Sequence, residues 1–273
     1  MATAVHIIIV THNSAGELPI CLEHLAGQTR TIQSLIVVDS GSTDTGYLDS
    51  ITRPSLLSVI KTENIAFSKA NNLGLSRVGE NLSGMVVFLN PDTFLPPTFI
   101  ENALNVLEKN TDAAIVSGKL LGYDPQTRKA TGRIDSTGIF RRWYGRWYDR
   151  GKGEPDSSKY DLSESVPALC GALMCCRAEA LQPLGNNVFD PDFFLYKEDI
   201  ELSLRLRRKG WSLVYEPDLV AYHCRGWQAN RRKMNYALRL TAARNELLLY
   251  RKHPSPYLVW ALMKYLLVRL FRL

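Results

Sequence analysis

Four acids and one histidine stand where side chains could do chemistry. Asp39 follows the apolar run Leu35–Val38 and precedes Ser40-Gly41-Ser42, so a carboxylate is presented at a strand end where Gly41 lets the backbone turn tightly. The same residues would also suit a turn aspartate capping its own backbone. Asn90-Pro91-Asp92 places a second acid directly after Met85–Leu89, although Asn-Pro-Asp is also a common turn. Glu198 and Asp199 open a helical pattern, a place where acids are favoured by the helix dipole and where a carboxylate can also accept a proton. His223, within Ala221–Trp227, could be a ligand or simply a packed core or surface histidine.

The elements that must position these residues alternate. Strand-like runs occur at His6–Val10, Leu35–Val38, Leu57–Ile60 and Met85–Leu89, and the first two flank a helical pattern containing Leu18, Cys21, Leu22 and Leu25. Short continuous apolar strands ending in polar or glycine-rich residues predict a parallel sheet whose carboxyl edge carries the ligand site. Thr11, Asp39 and Asn90 fall at such ends. A helix is expected from about Pro97 to Lys109, an apolar run at Ala113–Val116, an irregular loop or hairpin between Tyr123 and Ser165, and renewed apolar periodicity at Val166–Cys176. Glu198 to Lys209 reads as a helix stopped by Gly210. Two helical patterns follow, around Asn235–Lys252 and after Pro256.

Ile7–Asn13 (IIIVTHN), Val37–Asp44 (VVDSGSTD), Phe88–Thr93 (FLNPDT) and Phe193–Trp211 (FFLYKEDIELSLRLRRKGW) together resemble family 2 glycosyltransferases of the GT-A fold, most nearly the rhamnosyltransferase-like branch. The motifs run in order over nearly the whole chain, and there is neither a Walker A loop nor a G-x-G-x-x-G. The resemblance implies an α/β fold with a GT-A-like, mostly parallel sheet flanked by helices. It assigns donor contacts to Thr11, Asn13, Asp39, Ser40, Asn90 and Asp92, with Asn64, Lys69 and Asn72 in a further donor-lining segment where Ala66 replaces the usual glycine. Asp92 would hold a divalent metal, Mg²⁺ or Mn²⁺, and His223 would complete the metal site or touch the diphosphate. Trp227 departs from the small hydroxyl residue usual nearby. Asp199, with Glu198 beside it, would be the catalytic base, and one base without an enzyme nucleophile implies inversion. Glu201 and Arg205, one helical turn apart, suit an ion pair as well as a substrate contact.

Arg141–Tyr148 (RRWYGRWY) interleaves cations with aromatics that could stack on sugars, rest on lipid headgroups or pack locally. Trp143 and Trp147, with Tyr196 before the acids, are the candidate acceptor contacts. From Arg225 onward the chain carries 11 Lys/Arg and one acid, a net +10, leaving −4 for the first 224 residues of a chain of net +6. Such a tail suits an anionic surface. Tyr257–Leu273 is apolar but interrupted by Lys264, Arg269 and Arg272, and it is shorter than the roughly 20 apolar residues of a span. Its cations fall within an arc of roughly 140°, as in an interfacial helix, unless the helix docks on protein.

At 273 residues with 45% hydrophobic and 22% charged content, a single globular unit is expected, with a catalytic domain over residues 1–230 and a basic helical extension over residues 231–273. Five cysteines without C-x-x-C spacing argue against a disulfide framework or zinc knuckle, and Met1–Val10 is too short and lightly charged for a signal peptide. The expectation is therefore a cytoplasmic enzyme, peripheral at the inner face of the cell membrane and serving cell-surface polysaccharide biosynthesis. It would move rhamnose or another hexose from a nucleoside-diphosphate sugar to a hydroxyl of a glycan or lipid-linked acceptor. A sugar-nucleotide-binding protein without turnover is the first alternative. A nucleic-acid-binding protein using the basic tail is the second; it leaves the ordered motifs unexplained, and no nucleic acid partner is expected.

Overall fold

The computed structural model describes residues 3–51, 56–79, 82–224 and 235–272. The four apolar runs form β1 (Val5–Thr11), β2 (Ser34–Ser40), β3 (Leu57–Thr62) and β4 (Met85–Leu89), with α1 (Leu18–Ala26), α2 (Gly46–Asp49) and α3 (Ala66–Ser76) between them. Then come β5 (Thr93–Phe94), α4 (Phe99–Lys109), β6 (Ala113–Asp124), β7 (Lys129–Ser136), β8 (Ile139–Arg141), β9 (Trp147–Asp149), β10 (Glu164–Ser165) and β11 (Leu173–Arg177). The chain ends with α5 (Ala178–Leu181), α6 (Glu198–Arg208), β12 (Ser212–His223), α7 (Tyr236–Lys252) and α8 (Leu258–Phe271).

The main sheet has the order β10-β12-β6-β11-β4-β1-β2-β3. Strands β1 to β4 are mutually parallel. β11 runs against both β4 and β6, and β12 runs with β6. Consequently the C-terminal ends of β1, β2, β4 and β12 and the start of β11 share one edge of the sheet.

Alternation along the strands splits the core into two layers. Ile7, Ile9, Val37 and Val87 pack with Leu18 and Leu25 of α1 and Phe99, Ala103 and Leu107 of α4. Ile8, Val86 and Phe88 face the other way, against Ala178 of α5 and Leu202 and Leu206 of α6. Each such side chain, fully buried, contributes about 1.5–3 kcal/mol. Leu249 and Tyr250 of α7 and Ala261 of α8 join the first layer, so the C-terminal helices continue the core of the catalytic fold. The expected boundary at 230/231, like Trp227, lies outside the described residues.

The stretch Tyr123–Ser165, read from the sequence as an irregular loop or hairpin, contains four short strands. β7 returns antiparallel on β6, and β8 and β9 form a separate hairpin. Much of β7 is exposed and polar, so it is held by ladder hydrogen bonds and carries no apolar run to announce it. All five cysteines are free, and no helix among the described residues is long and apolar enough to cross a membrane.

Candidate active site

At the shared edge the loops after β1 and β2 interlock. Asp39 is fully buried; its carboxylate accepts from the Ser42 N–H at 3.0 Å, the Ser42 hydroxyl and the Tyr47 hydroxyl at 3.1 Å. It therefore braces the turn, the part its sequence context also allowed. Gly41 makes the turn possible: its φ is +72°, and a Cβ there would lie 2.5 Å from the Asn64 amide nitrogen. The Thr11 hydroxyl lies 3.0 Å from that of Tyr47. Asn13, itself left-handed at φ 53°, accepts from the Thr43 N–H and receives the Ser42 hydroxyl oxygen on its own N–H. Ser40 Oγ accepts from the N–H groups of Ile65 and Ala66 at 3.1 Å each, and Asn64 Oδ1 accepts from Ala66 at 3.2 Å.

Ala66 has φ 70°, the left-handed conformation that favours glycine. That explains why an alanine at this position is unusual. Lys69 is exposed on α3. The Asn72 amide donates to the Phe189 carbonyl at 2.7 Å and accepts the Phe189 N–H at 2.9 Å. Both halves of the side chain are spent tying α3 to the segment before α6, so Asn72 supports the scaffold.

The second cluster joins Asn90, Asp92 and His223. Asn90 donates its N–H to Ala172 and accepts that of Thr93, fixing the turn that carries Asp92. β5 pairs with β12 in the register His223↔Thr93, which brings Asp92 Oδ1 to 3.3 Å from His223 Nε2. His223 Nδ1 lies 2.8 Å from Asp135 Oδ2, and both residues are buried. Burial alone would lower the histidine pKa, but the two carboxylates outweigh it and raise it to about 9. Asp135 was not anticipated; it lies in β7, whose sequence gave no sign that it would close over this histidine.

Among the described residues no group of three or more His, Cys, Asp or Glu side chains could hold a metal ion by itself. The residues present nevertheless fit a divalent ion that also takes substrate oxygens. One carboxylate and one imidazole nitrogen converge, and Asp135 fixes the ring from behind, as outer partners of metal-bound histidines do.

The third cluster is the acid pair. The Gly171 N–H, two residues before β11, donates to Asp199 Oδ2 at 3.0 Å, and the Ile200 N–H to Oδ1 at 2.8 Å. A Cβ on Gly171 would sit 3.2 Å from that of Asp199, so this close approach suits glycine. Glu198 is buried and its Oε2 has no hydrogen-bond partner. Burial, then the Asp199 charge, pushes its pKa up to about 8. Burial also raises that of Asp199, against the pull of the Gly171 amide. Burial thus raises both carboxyls, and the two amides on Asp199 favour its charged form where Glu198 Oε2 has no such donor.

Just ahead of this pair, Tyr196 and Lys197 are consecutively left-handed, at φ 74° and 77°. Asn245 of α7 holds the turn, donating to the Leu195 and Tyr196 carbonyls at 2.8 and 3.0 Å. Glu201 and Arg205 form the ion pair that one helical turn allows, and Arg205 also caps the carbonyls of Asn187 and Val188.

Of the acceptor candidates, Trp143 stands at the hairpin tip, 85% exposed, while Trp147 is 6% exposed with the Arg141 guanidinium 5.3 Å from its ring centre. Trp147 faces the core side of β9, so it is not placed to stack on a sugar. The other end of the hairpin reaches the acids, Asp149 adding to the rise in the Asp199 pKa.

Residues 6–176, more than half of the chain, match the profile of glycosyl transferase family 2. The chain belongs to this family. It is 23% identical to N-acetylglucosaminyl-diphospho-decaprenol L-rhamnosyltransferase of Mycobacterium tuberculosis (strain CDC 1551 / Oshkosh) over 248 residues, 85% of this chain and 79% of the relative; the protein of strain ATCC 25618 / H37Rv matches equally. The fold superposes on GalNAc-T7, in a crystal structure with UDP, GalNAc and Mn²⁺, with a TM-score of 0.74 and 15% identity over 98% of this chain. This chain spans 50% of the length of GalNAc-T7. The mannosyltransferase PcManGT of Pyrobaculum calidifontis, in complex with GDP-Man and Mn²⁺, superposes with a TM-score of 0.60 and 19% identity over 99% of this chain and 71% of its own. The family 2 glycosyltransferase has the GT-A fold that its motifs implied.

Proposed function

We propose that this family 2 glycosyltransferase moves a hexose, rhamnose being the first candidate, from a nucleoside-diphosphate donor to a hydroxyl of a lipid-linked glycan, with inversion at the anomeric carbon. The observation that carries the reading is the meeting, at one sheet edge, of the Asp39 turn, the Asp92–His223 pair and the amide-held Asp199. The rhamnosyltransferase name of the relative, with its diphospho-decaprenol acceptor, supports the choice of sugar and acceptor.

Thr11, Asn13, Asp39 and Ser40 shape the donor end, with Asn64 and Lys69 at its α3 border. Asp92 and His223 would hold a divalent metal, which suits the Mn²⁺ in both structural neighbours. When bound, that ion neutralises charge building on the leaving diphosphate. The acceptor hydroxyl attacks the anomeric carbon as its proton passes to Asp199, and the bond to the diphosphate breaks with its electron pair leaving on phosphate oxygen. Neutral Glu198 keeps a second negative charge away from the base. Trp143 and Tyr196 are the remaining acceptor contacts, and α8 would rest on the cytoplasmic face of the membrane that carries the acceptor.

Calorimetry against a panel of UDP-, GDP- and dTDP-linked hexoses tests the donor site. One donor should bind, and Asp92→Ala or EDTA should weaken it by about tenfold to a hundredfold. Donor binding and turnover indifferent to EDTA would remove the metal from the reading.

A further inference from the structure

Eight of the twelve large apolar side chains that stand exposed among the described residues lie on α8, Leu262, Met263, Leu266, Leu270 and Phe271 among them. The helix docks on α7 through Ala261 and Val268, and its outer face is left to solvent. Where α7 turns into α8, residues His253 to Ser255 close a cavity of about 310 Å³ with the C-terminal half of α6 and the turn end of the β8–β9 hairpin. The walls carry Arg141, Arg207, Arg208 and His253 and no acid.

The three guanidinium groups are not neutralised locally. Arg207 has no ion pair with a described residue, and Arg208 reaches only the Lys252 carbonyl, at 3.5 Å. The Arg141 guanidinium lies 4.3 Å from the ring centre of Tyr257, the residue before α8. His253 is 94% buried; its Nε2 faces Glu201 Oε1 at 3.3 Å, and its Nδ1 has no hydrogen-bond partner. Neighbouring Lys252 is already committed to Asp190 and Asp192.

Three guanidinium groups around one concavity repel one another, an anion joining them relieves that repulsion, and the guanidinium fork matches phosphate oxygens. Arg207 and Arg208 lie eight and nine residues beyond Asp199, about 13 Å along the helix, so the cavity is separate from the acid pair. We infer that it holds the headgroup phosphate of an anionic membrane lipid whose acyl chains cover the exposed face of α8. A lipid meets both demands at once, whereas a free anion leaves the apolar face uncovered. A second copy docked face to face would bring Arg269 and Arg272 of both chains together. The inference rests on the membrane reading of α8 and adds to it a defined phosphate site.

The test is flotation of the full chain with phosphatidylglycerol vesicles, phosphatidylcholine vesicles serving as the uncharged control. Wild type should float with the first, and the double variant Arg207→Gln/Arg208→Gln should bind on the order of tenfold more weakly, with donor hydrolysis unchanged as proof of folding. Leu266→Ser/Leu270→Ser should lose flotation while keeping the arginines. If wild type and the arginine variant float alike, the phosphate site is refuted and the α8 contact stands. If wild type does not float, both fall. Millimolar inorganic phosphate should compete only weakly; full displacement by it would show a soluble-anion site instead.

Discussion

Glu198 and Asp199 are neighbours in sequence with different surroundings. Asp199 is given two backbone N–H donors, whereas Glu198 is buried with one oxygen lacking a partner. Raising the Glu198 pKa from 4.5 to about 8 means that folding favours its neutral form. The stability it contributes is complete below about pH 4.5 and is lost as pH rises through about 8. Glu198→Gln, permanently neutral, should therefore be more stable than wild type by about 1–3 kcal/mol near pH 8 and equal to it near pH 4.5. Thermal melts across this range check the prediction. A Gln variant less stable at pH 8 would show that the carboxylate is ionised and satisfied.

At the scale of elements, the site depends on backbone conformations that side chains hold in place. Ala66 begins α3 at φ 70°, and the strain of a left-handed alanine exceeds the extra chain entropy that glycine loses on folding. Ala66→Gly should accordingly stabilise the protein by about 0.5–1 kcal/mol, read from urea unfolding. Much of this level was readable in the sequence. β2 and β4 are built on continuous apolar runs, with Asp39 next to last in β2 and Asp92 three residues beyond β4. What could not be read was supplied by pairing between distant segments. Asp135 comes to His223 across 88 positions and Asn245 to Leu195 across 50, and neither lies in a motif with a local signature. The Asn72 contact to Phe189 could not be read either, because a polar side chain on a helix gives no sign of being used by a distant backbone. Nor could the sequence tell that the alternation of β9 turns Trp147 inward while Trp143, on the connecting turn, points out.

For the whole molecule, the C-terminal helices do two jobs. α7 reaches the turn before the acids through Asn245, and its next residue, fully buried Glu246, pairs with Lys264 of α8. Tyr250 donates to the Gly145 carbonyl, and Tyr144 packs edge-on against Trp260 at 4.8 Å, binding the hairpin to the same helices. α8 is therefore docked on protein along one side and exposed and apolar along the other. Lys264→Ala would strand the buried Glu246 and should cost about 3–5 kcal/mol, visible as a lowered urea midpoint. A loss below about 0.5 kcal/mol, typical of surface changes, would mean that α8 is not docked as described.

The central claim is that Asp199 takes the acceptor's proton in an inverting transfer. Its most direct test is product formation from the donor identified by calorimetry, with the anomeric configuration read by nuclear magnetic resonance, for wild type and Asp199→Asn. The account predicts a product of inverted configuration from wild type. It also predicts a rate lower by about 10²–10⁴ in the Asn variant with donor affinity nearly unchanged, because the base acts in the transition state. Retained configuration, or an Asn variant turning over at the wild-type rate, would contradict it.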